Sequence, residues 1–549
     1  MWVCARVRVS EGRRWAPEQR ATAVRAEARH SFAHVRSGAL AGMGAGGGST
    51  RGRGEMAATA AASAAAKSGD VVLAVGGADG ADSGGRLAWR NVTYAVTSKK
   101  KDGERRVLLD NLSGSVERGE LLAILGPSGA GKSSLLNALA GRVPTSNEYE
   151  CELTGEISLG GRPCDAEDIV KVSAYVEQED ALFALSTCEE TLLFAAALRL
   201  PQGTPAAELR ARVDEVINEL GLVKARHTPV GGNVPGAERG LSGGERKRLN
   251  IGIDLLHRPN LIFVDEPTSG LDSFQALNVM GTLIELSRHD RTVVCSVHQP
   301  RSSIYASLDK VLLLSQGRQV FLGGANDAAD FFERVLGHAL PPNYNPADFF
   351  LDTISMDYRS PGAQAQSEAR LAGIFKVLDG LAAEGKEAVE APVSAEGDDR
   401  APEQTVLQGA FWTSFWLLLR RTWREQTRNK LALGIKLGMN IFFSIIFGLV
   451  YLRMPNSQQS IQDRTGLLFF SAMNAAFGAP IGVSQVIPRE LKVVQRERAS
   501  GMYSVISYYL AVFFASLPLE LIPGLASASV MYFMAGLRPG AGYFAMYVK

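Results

Sequence analysis

The chain is short of the features that mark secreted and nucleic-acid-binding proteins. Its 549 residues include five cysteines, Cys4, Cys151, Cys164, Cys188 and Cys295, with no C-x-x-C pair among them. That scatter excludes a readable disulfide framework or zinc site. Buried, inert thiols are the ordinary reading, beside reactive ones at Cys4, Cys164 and Cys188. An excess of one charge is missing too. Against 57 acidic residues stand 58 basic ones, a formal net charge of +1, so no overall basic field calls for nucleic acid. What is present is length, enough for several domains of ordinary size.

The texture of the chain divides it into 1–85, 86–358, 359–408 and 409–549. Residues 1–85 contain "MGAGGGSTRGRGEMAATAAASAAAK", low-complexity sequence that cannot build a core. Ten Arg against four Glu before Met56 would suit an organelle transit peptide, a plastid one included. A disordered tail, or translation starting at Met43 or Met56, explains the same composition. From 86 to 358 strand and helix signals alternate. "ELLAILG" (Glu120–Gly126) reads as a buried strand running into a glycine loop, and "SSLLNALAGR" as the helix after it. "LIFVDEP" (Leu261–Pro267) and "TVVCSVHQP" (Thr292–Pro300) are further apolar strands with polar ends, so a parallel sheet with its chemistry at the strand ends is expected. Residues 359–408 read as a polar linker.

Beyond Gly409 the chain reads as a membrane protein. "FWTSFWLLLRRTWREQTRNK" mixes aromatics, Leu and Arg as an interfacial amphipathic helix would. Three spans are expected, at Leu431–Leu452, Leu467–Ile487 and Tyr508–Leu537, the third bent or broken around Pro518 and Pro523. Lys436 lies where a lysine can snorkel, and Glu520 would face the bundle, water or headgroups. Arg420, Arg421, Arg424, Arg428 and Lys430 precede the first span, and Arg489, Lys492, Arg496 and Arg498 separate the second from the third. The positive-inside rule puts both basic segments, and the N-terminal domain, in the cytosol.

Gly126, Pro127, Ser128, Gly129, Ala130, Gly131, Lys132, Ser133 and Ser134 spell "GPSGAGKSS", the Walker A pattern. Its backbone N–H groups and the following helix N-terminus cradle phosphates, Lys132 reaches the β and γ phosphates of ATP, and Ser133 ligates Mg²⁺. Asp265 and Glu266 end a strand as a Walker B pair should. Asp265 would hold Mg²⁺ and Glu266 would activate or orient the attacking water. His298, also at a strand end, can contact the γ phosphate, and Gln178 in "AYVEQED" can reach Mg²⁺. A structural histidine and an ordinary glutamine are the plain alternatives.

Walker A, Gln178, "LSGGE" (Leu241, Ser242, Gly243, Gly244, Glu245), "LIFVDEP", "SGLD" (Ser269–Asp272) and "SVHQP" follow one another in the order of the nucleotide-binding domain of ATP-binding-cassette (ABC) transporters. "RGLSGGERKRLNIG", "SVHQPR" and "NPADFFLDTI", all ahead of the membrane spans, resemble subfamily G, the white/brown half-size type. The resemblance implies an α/β P-loop nucleotide-binding domain of ABC type followed by an α-helical transmembrane domain. It implies a homodimer or heterodimer with another half-transporter, in which Leu241–Glu245 act in trans on the partner's ATP and Asp272 lies on the interface. It places Tyr94 against adenine, though a strand aromatic in a core fits Tyr94 nearly as well. "RERASGMYSVISYYL" (Arg496–Leu510) resembles the short cytosolic helix and third-span entry that pass motion to the spans, with Glu497 as an ionic contact. ATP and Mg²⁺ are the implied cofactors, and a hydrophobic or amphipathic substrate, membrane lipid and no nucleic acid the implied partners. ATP-driven export by a multi-pass membrane protein is the function expected. A soluble ABC ATPase and a truncated, non-transporting subunit compete with it. The subfamily has about six spans where three are counted, so a C-terminally incomplete product is expected.

Overall fold

The computed structural model describes residues 86–99, 103, 105–143, 149–232, 240–383, 411–455, 457–458, 460–538 and 540–548. The N-terminal extension, with Cys4, Met43 and Met56, lies outside the described residues.

Two sheets build the N-terminal part. β1 (Leu87–Ser98), β2 (Arg105–Val116), β4 (Tyr149–Leu159) and β5 (Arg162–Pro163) form an antiparallel sheet in the order β2-β1-β4-β5. β3 (Leu121–Leu125), β6 (Ser173–Val176), β7 (Leu261–Val264), β8 (Thr292–Ser296), β9 (Lys310–Ser315) and β10 (Arg318–Gly324) form the second, in the order β10-β9-β3-β8-β7-β6. It is parallel except for β10 against β9.

β3 and β7 are apolar at every position because both of their faces are covered. Successive side chains point to opposite faces. Leu121, Ala123 and Leu125 of β3 join the core beneath the helices, while Leu122 and Ile124 join the core shared with the antiparallel sheet. β7 divides the same way, with Ile262 and Val264 on one side and Leu261 and Phe263 on the other. Both strands can therefore be hydrophobic throughout without an exposed face. Their polar residues are left at the carboxyl ends, where the loops begin.

The expected linker divides in two. Residues 361–383 form a helix, Pro361–Ala383, that buries Ser367, Leu371 and Ile374 at helical spacing on the core beneath the helices. Residues 384–408 lie outside the described set. The amphipathic helix follows at Phe411–Arg428, then helices Lys430–Val450, Ser460–Ala499, Val505–Met534 and Ala541–Val548. Among the described residues, two helices are long and apolar enough to cross a membrane, Lys430–Val450 and Val505–Met534. The second expected span falls within Ser460–Ala499, whose side chains at 474–475 and 477–489 lie outside the described set. That helix also absorbs Arg496–Ala499, so the expected short cytosolic helix is the end of a long one. The third expected span is not broken: Val505–Met534 runs as one helix through Pro518 and Pro523. Lys436 does not snorkel alone. Its ammonium pairs with Glu520 of the neighbouring helix, and Ser444 meets Ser527 further along the same seam.

Phe263 is fully buried between β7 and the antiparallel sheet. Phe263→Ala should lower unfolding stability by about 3–5 kcal/mol through lost burial and the cavity left behind. Thermal and urea unfolding of the purified chain measure it.

Candidate functional site

β3 delivers the glycine loop, and the helix Lys132–Leu139 leaves it. The loop needs its glycines for two separate reasons. Gly129 and Gly131 adopt φ of 79° and 102°, which side-chain-bearing residues avoid. Gly126 passes so close to β9 that a Cβ there would lie 2.4 Å from the Leu314 carbonyl oxygen. Lys132 folds back over the loop, donating to the carbonyls of Gly126 (2.8 Å) and Pro127 (3.1 Å). Burial lowers its pKa, and the charges of Glu266 and Asp265 oppose that shift. An ammonium held among carbonyls and two carboxylates is poised for an incoming polyphosphate.

The ends of β3, β7 and β8 bring the acidic pair to the loop. Ser133 Oγ donates to Asp265 Oδ1 at 3.0 Å, and Ser296 Oγ donates to the same oxygen at 2.5 Å. Ser296 Oγ in turn accepts from the Glu266 N–H at 2.8 Å. Glu266 sits at φ 43°, a left-handed conformation costly for a glutamate, and its carboxylate accepts from Gln178 Nε2 at 2.6 Å. A serine hydroxyl and a carboxylate 3.0 Å apart form the hard-oxygen donor set that Mg²⁺ takes, with phosphate and water completing the shell. Gln178 is brought to Glu266 rather than to Ser133. His298 is exposed at the end of β8, beside Gln299 at φ 46°.

Tyr94 requires correction. It is 5% exposed, its hydroxyl meets Cys151 Sγ at 3.4 Å, and its ring belongs to the core under the antiparallel sheet. So placed, Tyr94 fits the alternative reading, a strand aromatic in a core. Cys188 and Cys295 are buried as well, and burial pushes both thiols up to about 12. Such thiols are inert near neutral pH.

Ser242 caps the helix Gly243–Leu255. Its Oγ accepts from the Glu245 N–H, and the Glu245 carboxylate accepts from the Ser242 N–H at 2.9 Å. Glu245 thus has a local task, half of a capping box. Gly243 and Gly244 are squeezed against Leu271 and Gln275, and the Gly244 N–H donates to Gln275 Oε1 at 2.8 Å. This helix packs on the helices Cys188–Arg199 and Ser273–Arg288, whereas the glycine-loop helix packs on β8 and the antiparallel sheet. Leu241 is buried, while Ser242 and Asp272 are exposed. Asp272 caps the helix Ser273–Arg288 through the N–H groups of Phe274 and Gln275. Phe274 beside it is 73% exposed.

The sequence reading missed the wiring behind these motifs. Lys247 donates to the Gln178 carbonyl (2.7 Å) and pairs with Asp180 (3.0 Å). Asn250, one turn along, donates to Asp180 at 3.1 Å and accepts from Arg496 of the long membrane-side helix. Arg421 of the amphipathic helix lies between the rings of Phe183 and Phe194, 4.2 and 3.9 Å from their centroids, and pairs with Glu497 at 2.6 Å. Tyr503 also donates to Glu497. Glu497, expected as an ionic contact, is therefore one, and its partner is Arg421. No spacing rule reaches across 76 residues.

Glu425 and Glu490 close the same contact. Burial pushes both carboxyls above the usual range, against the Ser186 and Tyr508 hydroxyl hydrogen bonds and the Arg421 charge, while Glu490 further raises Glu425 and Glu497 further raises Glu490. A raised carboxyl keeps its proton in the folded state after the unfolded chain has lost it. The stability it supports is therefore full at low pH and falls as pH rises through the folded pKa. Glu425→Gln keeps an acceptor for Ser186 and removes the charge. It should raise the melting temperature at pH 8 more than at pH 5, in thermal unfolding of the detergent-solubilised chain.

Two protein families match this chain, ABC transporter at residues 109–269 and ABC-2 type transporter at residues 413–548. It is 37% identical to ABC transporter G family member 7 of Arabidopsis thaliana, over 83% of this chain and 63% of that one. It is 38% identical to Protein white of Drosophila melanogaster, over 80% of this chain and 63% of that one. The chain thus spans 63% of the length of these relatives. With ABC transporter G family member 12 of Dictyostelium discoideum the identity is 33%, over 85% of this chain and 74% of the relative. An ATP-binding-cassette domain ahead of an ABC-2 membrane domain, at these identities, places the chain in the G family of ABC transporters.

Proposed function

We propose that the chain is the ATP-hydrolysing half of a dimeric exporter that moves a hydrophobic or amphipathic solute away from the cytosolic face of a membrane. The observation that carries this reading is a continuous polar path. It runs from Glu266 through Gln178, Lys247, Asp180 and Asn250 to Arg496, on the helix that continues into the membrane part. A hydrolytic site wired to membrane helices is what ATP-driven transport requires.

In the proposed mechanism, N–H groups of the loop from Gly129 to Ser134 receive the phosphates and Lys132 exchanges its two carbonyl partners for the β and γ oxygens. Ser133 and Asp265, with Gln178 alongside, would hold Mg²⁺, which neutralises charge on the phosphates when bound. Glu266 orients the attacking water and accepts its proton, and His298 contacts the γ phosphate. The partner's Ser242 closes on that phosphate from the far side. Its hydroxyl uses a lone pair in the capping box and keeps its proton free to donate. Asp272 and the exposed Phe274 lie along the same closure surface. Closure changes the setting of Gln178, and Lys247 and Asn250 pass the change to Arg496. The solute itself is decided by ATP-dependent vesicle uptake against a panel of phospholipids and sterols.

Glu266→Gln should bind Mg-ATP with near-native affinity while hydrolysis falls roughly 100-fold or more, because the water loses its base. Native turnover in that variant would remove Glu266 from the reaction. Lys132→Ala should weaken nucleotide binding itself, by about tenfold or more.

Ser242→Arg probes the trans arrangement separately. In a Glu266→Gln background, ATP should drive dimerisation seen by sedimentation, and adding Ser242→Arg should abolish the dimer while sparing ATP binding. A dimer that persists would mean "LSGGE" does not meet the partner's nucleotide.

A further inference from the structure

A cavity of about 310 Å³ lies between the amphipathic helix and the helical layer of the nucleotide-binding domain, away from the glycine loop. Its walls carry five arginines, Arg210, Arg420, Arg421, Arg424 and Arg496. Against them stand two carboxylates, Glu190 and Glu497. Glu497 is taken by Arg421, and Glu190 is shared between Arg424 and Arg428. Arg496 is spent on the neutral amide of Asn250. Arg210 and Arg420 form no hydrogen bond or ion pair among the described residues.

Arg210 and Arg420 are exposed, and Glu425 and Glu490 also feel the Arg421 charge, but Arg496 is 8% exposed against a neutral amide, where a charge is costly without a counter-charge. Arg421 is the extreme case. Its side chain is 8% exposed, and its Nε and Nη2 have no hydrogen-bond partner. Those two nitrogens form one edge of the guanidinium, the fork that matches two oxygens of a phosphate. The cavity lining thus offers donors suited to an anion with several acceptor oxygens.

The source of that anion follows from the helix that forms one wall. Trp412, Trp416, Arg420 and Trp423 are exposed at i, i+4, i+8 and i+11, a single stripe, while Phe415, Leu418 and Thr422 are buried on the other face. Exposed tryptophans flanking an arginine suit the headgroup level of a bilayer. Arg420 belongs both to that stripe and to the cavity wall. We propose that the cavity binds a phosphate group, delivered as the headgroup of an acidic phospholipid from the leaflet that this helix touches. The bound lipid would supply the missing counter-charge at the joint between nucleotide domain and spans, so the joint would be firmest in an acidic membrane.

The test uses the purified full chain in detergent without nucleotide, so its outcome is independent of hydrolysis and transport. Fluorescent phosphatidic acid should bind saturably, at least about tenfold more tightly than fluorescent phosphatidylcholine. The double substitution Arg210→Gln with Arg420→Gln should weaken phosphatidic acid by at least about tenfold. Arg118→Gln with Arg258→Gln, an equal charge loss on other exposed surfaces, should leave binding unchanged. Equal binding of the two lipids, or equal loss in both double variants, would overturn the site. Displacement by glycerol 3-phosphate at concentrations near the lipid's Kd would overturn the lipid source in favour of a soluble phosphate.

Discussion

A single buried ammonium holds the working parts of this chain in register. Lys247 is 1% exposed, inside the helix that Ser242 caps, and a lysine so placed is tolerated only if its charge is matched. It is matched by the Gln178 carbonyl and the Asp180 carboxylate, both in the loop after β6. The loop therefore cannot shift without either stripping the ammonium or carrying the capped helix along. Since Gln178 also touches Glu266, and Asp180 also touches Asn250, three otherwise separate regions share one anchor. Replacing Lys247 by an apolar residue would relieve the desolvation cost and cut the connection at once.

That anchor works because the sheet beneath it is rigid. Strands buried on both faces put their side chains alternately into two cores, and the polar groups that meet at the site sit at or just beyond their carboxyl ends. Ser133, Asp265, Glu266 and Ser296 are such groups, contributed by the ends of three strands, and they meet within hydrogen-bonding distance. The left-handed conformation of Glu266 is held by the Ser296 hydroxyl on its N–H. Backbone strain at this carboxylate is thus balanced by a neighbouring strand rather than by the loop itself.

What could be read from the sequence was what is local. The glycine loop, the acidic pair at the end of "LIFV" and the strand–helix alternation all lie within a few residues of their signals. What could not be read depends on contacts between distant segments. Ser296 looks like any strand serine until β8 is set beside β7, and Arg421 looks like one of several interfacial basic residues until Phe183 and Phe194 enclose it. Tyr94 shows the opposite error. Position along a motif suggested a stacking ring, and packing in three dimensions buries it in the core. The helix Pro361–Ala383 was hidden for a third reason: its apolar stripe of Leu371 and Ile374 is too short to stand out in polar, Ala-rich sequence.

The two capping boxes of the helical layer show how one local device serves two ends. Thr187 and Glu190 cap Cys188–Arg199, and Ser242 and Glu245 cap Gly243–Leu255, with the same reciprocal hydrogen bonds. At the first, the carboxylate goes on to receive Arg424 and the forked guanidinium of Arg428. Burial works against ionisation there, yet the hydrogen bonds from Arg428 and the Thr187 N–H, with the Arg424 charge, hold the Glu190 carboxyl below its usual range. The positive end of that helix is thereby consumed inside the chain, in fastening the amphipathic helix. At the second, no cation arrives: among the described residues, Glu245 pairs with none, and Ser242 stays exposed. The Glu245 carboxylate instead closes onto the Ser242 N–H, which spends its charge on the helix terminus and lessens its repulsion of an approaching anion. The N–H groups of Ser242, Gly244 and Glu245 are already taken at this terminus, and the Ser242 hydroxyl keeps its proton to donate. The terminus lies on a different helical layer from the glycine loop of its own chain, and the proposed closure onto a partner's phosphate would use that separation.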